Sequence, residues 1–258
     1  MVIFFHQLLY IFGLIAISPL LGVLWYQGQR VRATIPKLSD PTGTTTGVAG
    51  EGQPLKMLVV GESTVAGLGV DTFDQSITAK IARRLCQRLN CQIHWTAFGI
   101  SGVTAHALGQ AAEEISQNYD LIIICLGGND AFGLHSPLRW MRDCRALVHA
   151  LRRQNPTCPI LFADVPPIRD FSGFTPLLQA VLGHLVLLYR QPLRELAKQE
   201  KEVYFTDKPI LLDTKHGHPI TDYFSDGVHP SDLTYSNWAD DLSDKAVQIY
   251  RDLGKKFI

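Results

Sequence analysis

The sequence predicts an α/β fold: a flavodoxin-like three-layer sandwich with a five-stranded parallel sheet, preceded by an N-terminal transmembrane helix. Two observations support this prediction. From residue 55 onward, short apolar runs alternate with amphipathic stretches, a pattern typical of a parallel sheet covered by helices on both faces. Before that point, residues 3–25 form an uncharged, almost entirely apolar run. A run of this length can cross the hydrocarbon core of a bilayer as a helix.

The chain divides into an anchor over residues 1–27, a basic juxtamembrane segment with a flexible linker over 28–54, and a globular domain over 55–258. Residues 1–26 contain no Lys, Arg, Asp or Glu. The apolar run exceeds the ~7–15 residues of a signal-peptide core, and neither a basic start nor a clean cleavage site accompanies it. The pattern therefore favours an uncleaved single-pass anchor over a secretory signal peptide or a buried core helix.

The linker and its basic flank suggest how the domain is attached to a membrane. Gly, Thr and Pro dominate residues 39–54, which predicts a flexible tether. Arg30, Arg32 and Lys37 follow the anchor with no acidic residue before Asp40. Basic residues beside a span stay on the cytoplasmic side, so the domain is predicted to face the cytoplasm. Five cysteines without a C-x-x-C pair agree with a reducing compartment, although export of the domain remains the alternative.

Within the domain, five apolar runs are predicted strands, and five amphipathic stretches are predicted helices. The strands lie at 56–60, 92–98, 120–126, 159–163 and 203–205. The helices lie at 73–89, 104–117, 137–153, 176–198 and 233–253. Because parallel crossovers are right-handed, the simplest strand order is 2-1-3-4-5. This order places the ends of the first three strands side by side, where an open α/β sheet carries its site.

Composition and motifs exclude several classes of function. The 24 basic and 24 acidic residues balance, so no nucleic-acid partner is expected. No G-x-G-x-x-G or P-loop follows the first strand, which argues against a nucleotide or flavin cofactor. His216 and His218, with Asp213 and Asp222 nearby, lack a clear third ligand and are interpreted as a polar loop rather than a metal site.

Glycine-rich loops follow the first three strands and carry polar side chains. The loops are Gly61-Glu62-Ser63-Thr64, Gly99-Ile100-Ser101-Gly102 and Gly127-Gly128-Asn129-Asp130. A serine, a carboxamide and free backbone N–H groups are the components of a nucleophile with an oxyanion hole. Near the C-terminus, Asp226 and His229 lie three residues apart, so the carboxylate can orient the imidazole as a base.

These motifs resemble the four sequence blocks of the SGNH (GDSL-like) hydrolases, and they occur in the right order between residues 56 and 252. The resemblance implies that Ser63 is the nucleophile, His229 the general base and Asp226 its orienting partner. It also implies an oxyanion hole formed by the backbone N–H groups of Ser63 and Gly99 with the side chain of Asn129. The domain at 55–258 is thus expected to be an SGNH hydrolase domain.

Two positions depart from the family pattern. Glu62 stands where the first block usually has aspartate, and Ala97 stands where the second block often has asparagine. Neither change removes a catalytic atom, although Glu62 is expected to alter the geometry of its loop. The segments 134–140 and 171–188 are expected to set the depth of the pocket.

The resemblance implies a serine hydrolase of the esterase, lipase or thioesterase type, which cleaves acyl esters through an acyl-enzyme on Ser63. It implies no metal and no organic cofactor. The expected partner is an acyl ester or thioester, either a small molecule or a lipid, besides the membrane itself. A catalytically inactive, membrane-tethered binding domain with the same fold is the alternative.

Overall fold

In the computed structural model, which describes residues 2–209 and 218–254, one mixed sheet of six strands lies between two layers of helices. The strands are β1 (Thr46–Ala49), β2 (Pro54–Gly61), β3 (Gln92–Gly99), β4 (Leu121–Cys125), β5 (Ile160–Phe162) and β6 (Val203–Phe205). Their order across the sheet is β1-β3-β2-β4-β5-β6. Strands β2 to β6 are parallel to one another, and the order 2-1-3-4-5 predicted for them is confirmed.

The sixth strand is a difference from the predicted five. Strand β1 pairs antiparallel with β3 and comes from residues 39–54, which the composition predicts to be a flexible tether. In this pairing Gly47 lies opposite Trp95. A Cβ on Gly47 would lie 2.4 Å from Cζ2 of the indole, so the strand needs glycine to receive this ring. The strand also covers an edge of β3 that would otherwise be open, and exposed edges invite association.

Eight α-helices are described. They are α1 (Val2–Ile17), α2 (Leu21–Thr34), α3 (Ile77–Leu89), α4 (Ala105–Ala111), α5 (Gly128–Phe132), α6 (Pro137–Gln154), α7 (Pro176–Gln199) and α8 (Asp232–Asp252). Helices α3 and α8 cover one face of the sheet, and α4, α6 and α7 cover the other. Along β2, Met57 and Val59 pack on the first face while Leu58 and Val60 pack on the second. This alternation explains why the strand is apolar throughout.

The N-terminal apolar run is helical, as predicted. Helices α1 and α2, joined by a 3-10 turn at Ser18–Leu20, form one candidate span over residues 3–34 by length and apolar composition alone, and a signal sequence has the same properties. Its polar side chains contact the domain: the Tyr10 hydroxyl donates to the carbonyl of Leu134, and Gln7 Oε1 accepts a hydrogen bond of 3.3 Å from the Leu138 N–H. The opposite side of α1 exposes large apolar residues, namely Phe4, Phe5, Leu8, Phe12 and Ile15.

If β1 is an integral strand, Gly47→Ala should destabilise the protein because the added methyl group overlaps the Trp95 ring. Overpacking of this kind costs about 1–3 kcal/mol of unfolding free energy. Urea unfolding in detergent would measure it. Val48→Thr is the matched control, because Val48 is exposed on the same strand and its replacement should change stability by less than about 0.5 kcal/mol. Equal stability of the two variants would contradict the role of β1.

Candidate active site

The candidate site lies at the carboxyl ends of β2, β3 and β4. Register pairs Gly61 with both Gly99 and Cys125, so the three strands end side by side. A cavity of about 270 Å³ opens at this edge, and Ser63, Asn129 and His229 all line it. The structure therefore brings together side chains that are separated by up to 166 positions in the sequence (229 − 63).

Ser63 lies in a tight turn directly after β2. Within this turn the N–H groups of Val65 and Ala66 donate to the carbonyl of Glu62 at 2.9 and 3.1 Å. Gly99 lies against the same turn: a Cβ there would come within 2.1 Å of the Ala66 nitrogen. The turn can approach β3 this closely only because Gly99 has no side chain.

Asp226 and His229 form a partly buried pair on the turn before α8. His229 Nδ1 lies 2.7 Å from Asp226 Oδ2, and the other carboxylate oxygen accepts the N–H groups of Val228 and His229 at 2.9 and 2.7 Å. Burial alone would raise the pKa of Asp226, but the hydrogen bonds from His229 and Val228 outweigh it and lower the pKa below its usual value. The aspartate is therefore held as a carboxylate, and Nε2 of His229 is left available to the cavity.

Ser63 Oγ has no hydrogen-bond partner within 3.5 Å among residues 2–209 and 218–254. It shares the cavity with His229 without a direct bond. Catalytic hydrogen bonds are often long before a substrate binds.

Glu62 provides the strongest polar contact between two of the loops. Its side chain is buried, with the residue 4% exposed, and accepts three hydrogen bonds. Two come from the backbone N–H groups of Gly128 and Asn129, both at 3.1 Å, and one from Asn129 Nδ2 at 2.6 Å. Burial raises the pKa of Glu62 to about 7, against the lowering effect of these donors. From the sequence, Glu62 is only a departure from a motif, whereas in the structure it holds the Asn129 carboxamide.

Asn129 can still face the cavity. A carboxamide carries two N–H donors, and Glu62 occupies one of them. The second can donate to a ligand, because Asn129 also lines the cavity beside Ser63.

Ser101 and Gly102, from the predicted loop after β3, and Phe171, from the segment expected to set pocket depth, also line the cavity. Several other lining residues are not predicted from the sequence to belong to the site. They are Arg32, Phe132, Pro166, Pro167, Phe224, Thr234 and Trp238. The sequence identifies Arg32 only as a basic residue after the apolar run. Its position in the cavity follows from the packing of α2. Of the histidine loop, His216 and Asp213 lie outside the described residues, while His218 Nδ1 lies 3.3 Å from Asp222 Oδ2.

Solved structures with the same fold provide a comparison. The Clostridium thermocellum family 3 carbohydrate esterase is 20% identical, with a TM-score of 0.60 over 78% of this chain and 99% of that one. The protein TesA is 20% identical, with a TM-score of 0.56 over 75% of this chain and 99% of that one. A GDSL-like protein from Bacteroides ovatus is also 20% identical, with a TM-score of 0.56 over 76% of this chain. This chain spans about half of that protein, 54% of its length.

At these identities the structural likeness establishes the fold. No curated protein matches the sequence significantly. A sequence model of the GDSL-like Lipase/Acylhydrolase family, however, matches residues 59–236, well over half of the chain. That range includes Ser63, Gly99, Asn129, Asp226 and His229. The chain therefore belongs to the GDSL-like lipase/acylhydrolase family.

Proposed function

We propose that this protein is a serine esterase that cleaves acyl esters through a covalent acyl-enzyme on Ser63. One observation carries the proposal: the Asp226–His229 pair, the Ser63 hydroxyl and the Asn129 carboxamide all meet at one cavity. Membership of a family of hydrolases supports the reaction class. One of the similar structures is a carbohydrate esterase, which supports ester substrates.

The geometry suggests the following chemistry. His229 Nε2 accepts the proton of Ser63 as Oγ attacks the acyl carbon, and Asp226 stabilises the imidazolium that forms. The oxyanion receives hydrogen bonds from Asn129 Nδ2 and from the N–H groups of Ser63 and Gly99. The C–O bond then breaks, and His229 returns its proton to the departing alcohol. Water, deprotonated by the same histidine, attacks the ester of Ser63 and releases the acid, which regenerates the hydroxyl.

Ser63→Ala should abolish hydrolysis of 4-nitrophenyl acetate and covalent labelling by a fluorophosphonate, because both require the Oγ nucleophile. Unfolding free energy should change by less than about 0.5 kcal/mol, since Ser63 Oγ has no partner to lose. Ser243→Ala serves as a comparison, because it removes a buried hydroxyl that donates to the Ala239 carbonyl at 2.6 Å within α8, outside the cavity, and should retain labelling. Undiminished esterase activity in Ser63→Ala would assign the chemistry to another nucleophile. Lack of labelling of the wild-type protein would favour an inactive binding domain.

We assign Glu62 the task of positioning Asn129. Its pKa of about 7 lies above the ordinary 4.5, so the folded state holds this proton more tightly than the unfolded chain. Protonated Glu62 therefore stabilises the folded protein, and this stabilisation is complete at pH values below the pKa that the group has in the unfolded chain. This contribution to the free energy of unfolding is about 3 kcal/mol, and it is lost as the pH rises through about 7.

Glu62→Gln removes that titration. Between pH 4 and 8 the wild-type protein should therefore lose about 3 kcal/mol of unfolding free energy relative to the variant, measured by urea unfolding at a series of pH values. Glu51→Gln is the control, because Glu51 is exposed and its replacement should leave the wild-type profile unchanged. Parallel profiles of wild type and Glu62→Gln would show that the folded protein does not perturb this carboxyl group.

We further propose that α1 is retained as a membrane anchor with the domain on the cytoplasmic side. Its apolar run has the length and composition of a membrane-spanning helix, and its exposed apolar side chains offer a surface for lipid. The basic residues after the apolar run support the orientation.

Two reporters fused after Ile258 would test this orientation, one that folds only in the cytoplasm and one that folds only in an oxidising compartment. The cytoplasmic reporter should be active and the other inactive. Replacing Arg30 and Lys37 by glutamine should weaken that bias because both charges lie beside the span. The reverse pattern of reporter activity would mean that the domain is exported.

A further inference from the structure

A second, apolar cavity adjoins the catalytic one. Its volume is about 520 Å³, within the range of about 300–1,000 Å³ of small-molecule sites. Arg32, Phe132 and Val228 line both cavities, so the two share a boundary. The lining of the second cavity is mainly leucine, valine and aromatic side chains. A ligand bound at Ser63 thus has apolar space directly beside it.

Helix α2 forms one wall of this second cavity. Leu24 and Val31, two turns apart, are buried in the domain core. Gln27 Oε1 accepts a hydrogen bond of 2.6 Å from Thr175 Oγ1, which fixes the helix to the start of α7. Between these contacts Gly28 lines the cavity, and a Cβ built on it would meet no atom within 4 Å. The missing side chain therefore leaves space along the helix.

Phe174, Leu178 and Val181 form the facing wall. They come from the segment 171–188 that the sequence associates with pocket depth. Leu134 adds to the lining from the loop after α5. The cavity thus lies between the N-terminal helix and the domain, with walls from both.

Arg32 lies where the two cavities meet. Among residues 2–209 and 218–254 it forms no ion pair and no hydrogen bond, so its guanidinium is unpaired. The described lining of the catalytic cavity contains one acidic residue, Glu62, whose carboxylate is already bound by three N–H donors. A guanidinium in this position favours an anionic oxygen group near the scissile ester.

We propose that the cavity beside α2 is the acyl-chain site, and that Arg32 selects monoacyl esters that carry an anionic group, a phosphate or a carboxylate, near the ester. This inference rests on the proposed function at Ser63. The acyl chain lies against Leu24, Gly28 and Phe174, and the ester reaches the Ser63 hydroxyl. Helix α2, whose first residues belong to the apolar run, is then a part of the substrate site as well as of the N-terminal helical segment.

The chain-length part is tested with 4-nitrophenyl esters from acetate to palmitate. Each methylene that the wild-type cavity buries should raise kcat/KM by roughly fourfold until the cavity is filled. Gly28→Leu places a four-carbon side chain in the space that the acyl chain would occupy, and should lower the ratio of long-chain to short-chain kcat/KM by about tenfold or more. Gly22→Leu is the matched control, since Gly22 lies on the same helix, has equal space for a side chain and lines neither cavity.

The head-group part uses 1-palmitoylglycerol, its 3-phosphate and the corresponding palmitoyl glycerate. Arg32→Gln should lower kcat/KM about tenfold or more for the two anionic esters relative to the neutral one, because a charge-assisted hydrogen bond is lost. Arg30→Gln removes an equal charge outside both cavities and should leave this ratio unchanged. A loss for the phosphate alone or for the glycerate alone would identify which anion the site selects.

The outcomes separate the two proposals. Absence of Ser63-dependent hydrolysis with every ester would overturn the esterase function itself. If short esters are hydrolysed through Ser63 but Gly28→Leu and Gly22→Leu give the same chain-length ratio, the acyl site is wrong and the esterase function stands. If Arg32→Gln and Arg30→Gln give the same head-group ratio, Arg32 does not select the anion.

Discussion

The geometry of the candidate pocket depends on one buried carboxyl group. Glu62 follows β2 and binds three N–H groups at the start of α5, so it joins the loop of Ser63 to the loop of Asn129. A buried carboxyl group is costly unless its hydrogen bonds are made, and here all three come from two adjacent residues. Any shift of Ser63 relative to Asn129 would break several of these bonds together. These hydrogen bonds therefore constrain the positions of Ser63 and Asn129, the proposed nucleophile and oxyanion donor.

The histidine is joined to the same assembly by a separate contact. Ser225 donates through its hydroxyl to the Gly69 carbonyl at 2.7 Å, and its N–H donates to the His229 carbonyl at 2.8 Å. Gly69 has φ of +103°, and a Cβ there would lie 2.2 Å from the Pro230 carbonyl oxygen. A side chain at this position would push the histidine turn away from the serine turn. Glycine at 69 thus has the same effect as glycine at 99, because each lets a neighbouring segment approach the turn that carries Ser63.

Apolar runs predict the parallel strands because each of these strands is buried on both faces, and the right-handedness of crossovers then predicts their order. The rule that sites form at strand ends then brings together Ser63, Gly99 and Asn129. Strand β1 escapes prediction because its four residues are ordered by Trp95, a partner far along the chain. The positioning role of Glu62 is not predicted from the sequence for the same reason, because it depends on backbone N–H groups more than sixty residues away. In both cases the local sequence does not show which distant residue will be in contact.

Helix α2 carries two arginines that have the same charge but lie in different surroundings. Arg30 and Arg32 contribute equally to the positive flank of the span. An α-helix turns about 100° per residue, so side chains two positions apart point in nearly opposite directions. Since Leu24, Gly28 and Val31 face the domain, Arg32 lies on the cavity side while Arg30 lines neither cavity. The segment that attaches the domain to its apolar helix is thereby also a wall of the pocket, so removing residues 1–34 would open the second cavity to solvent.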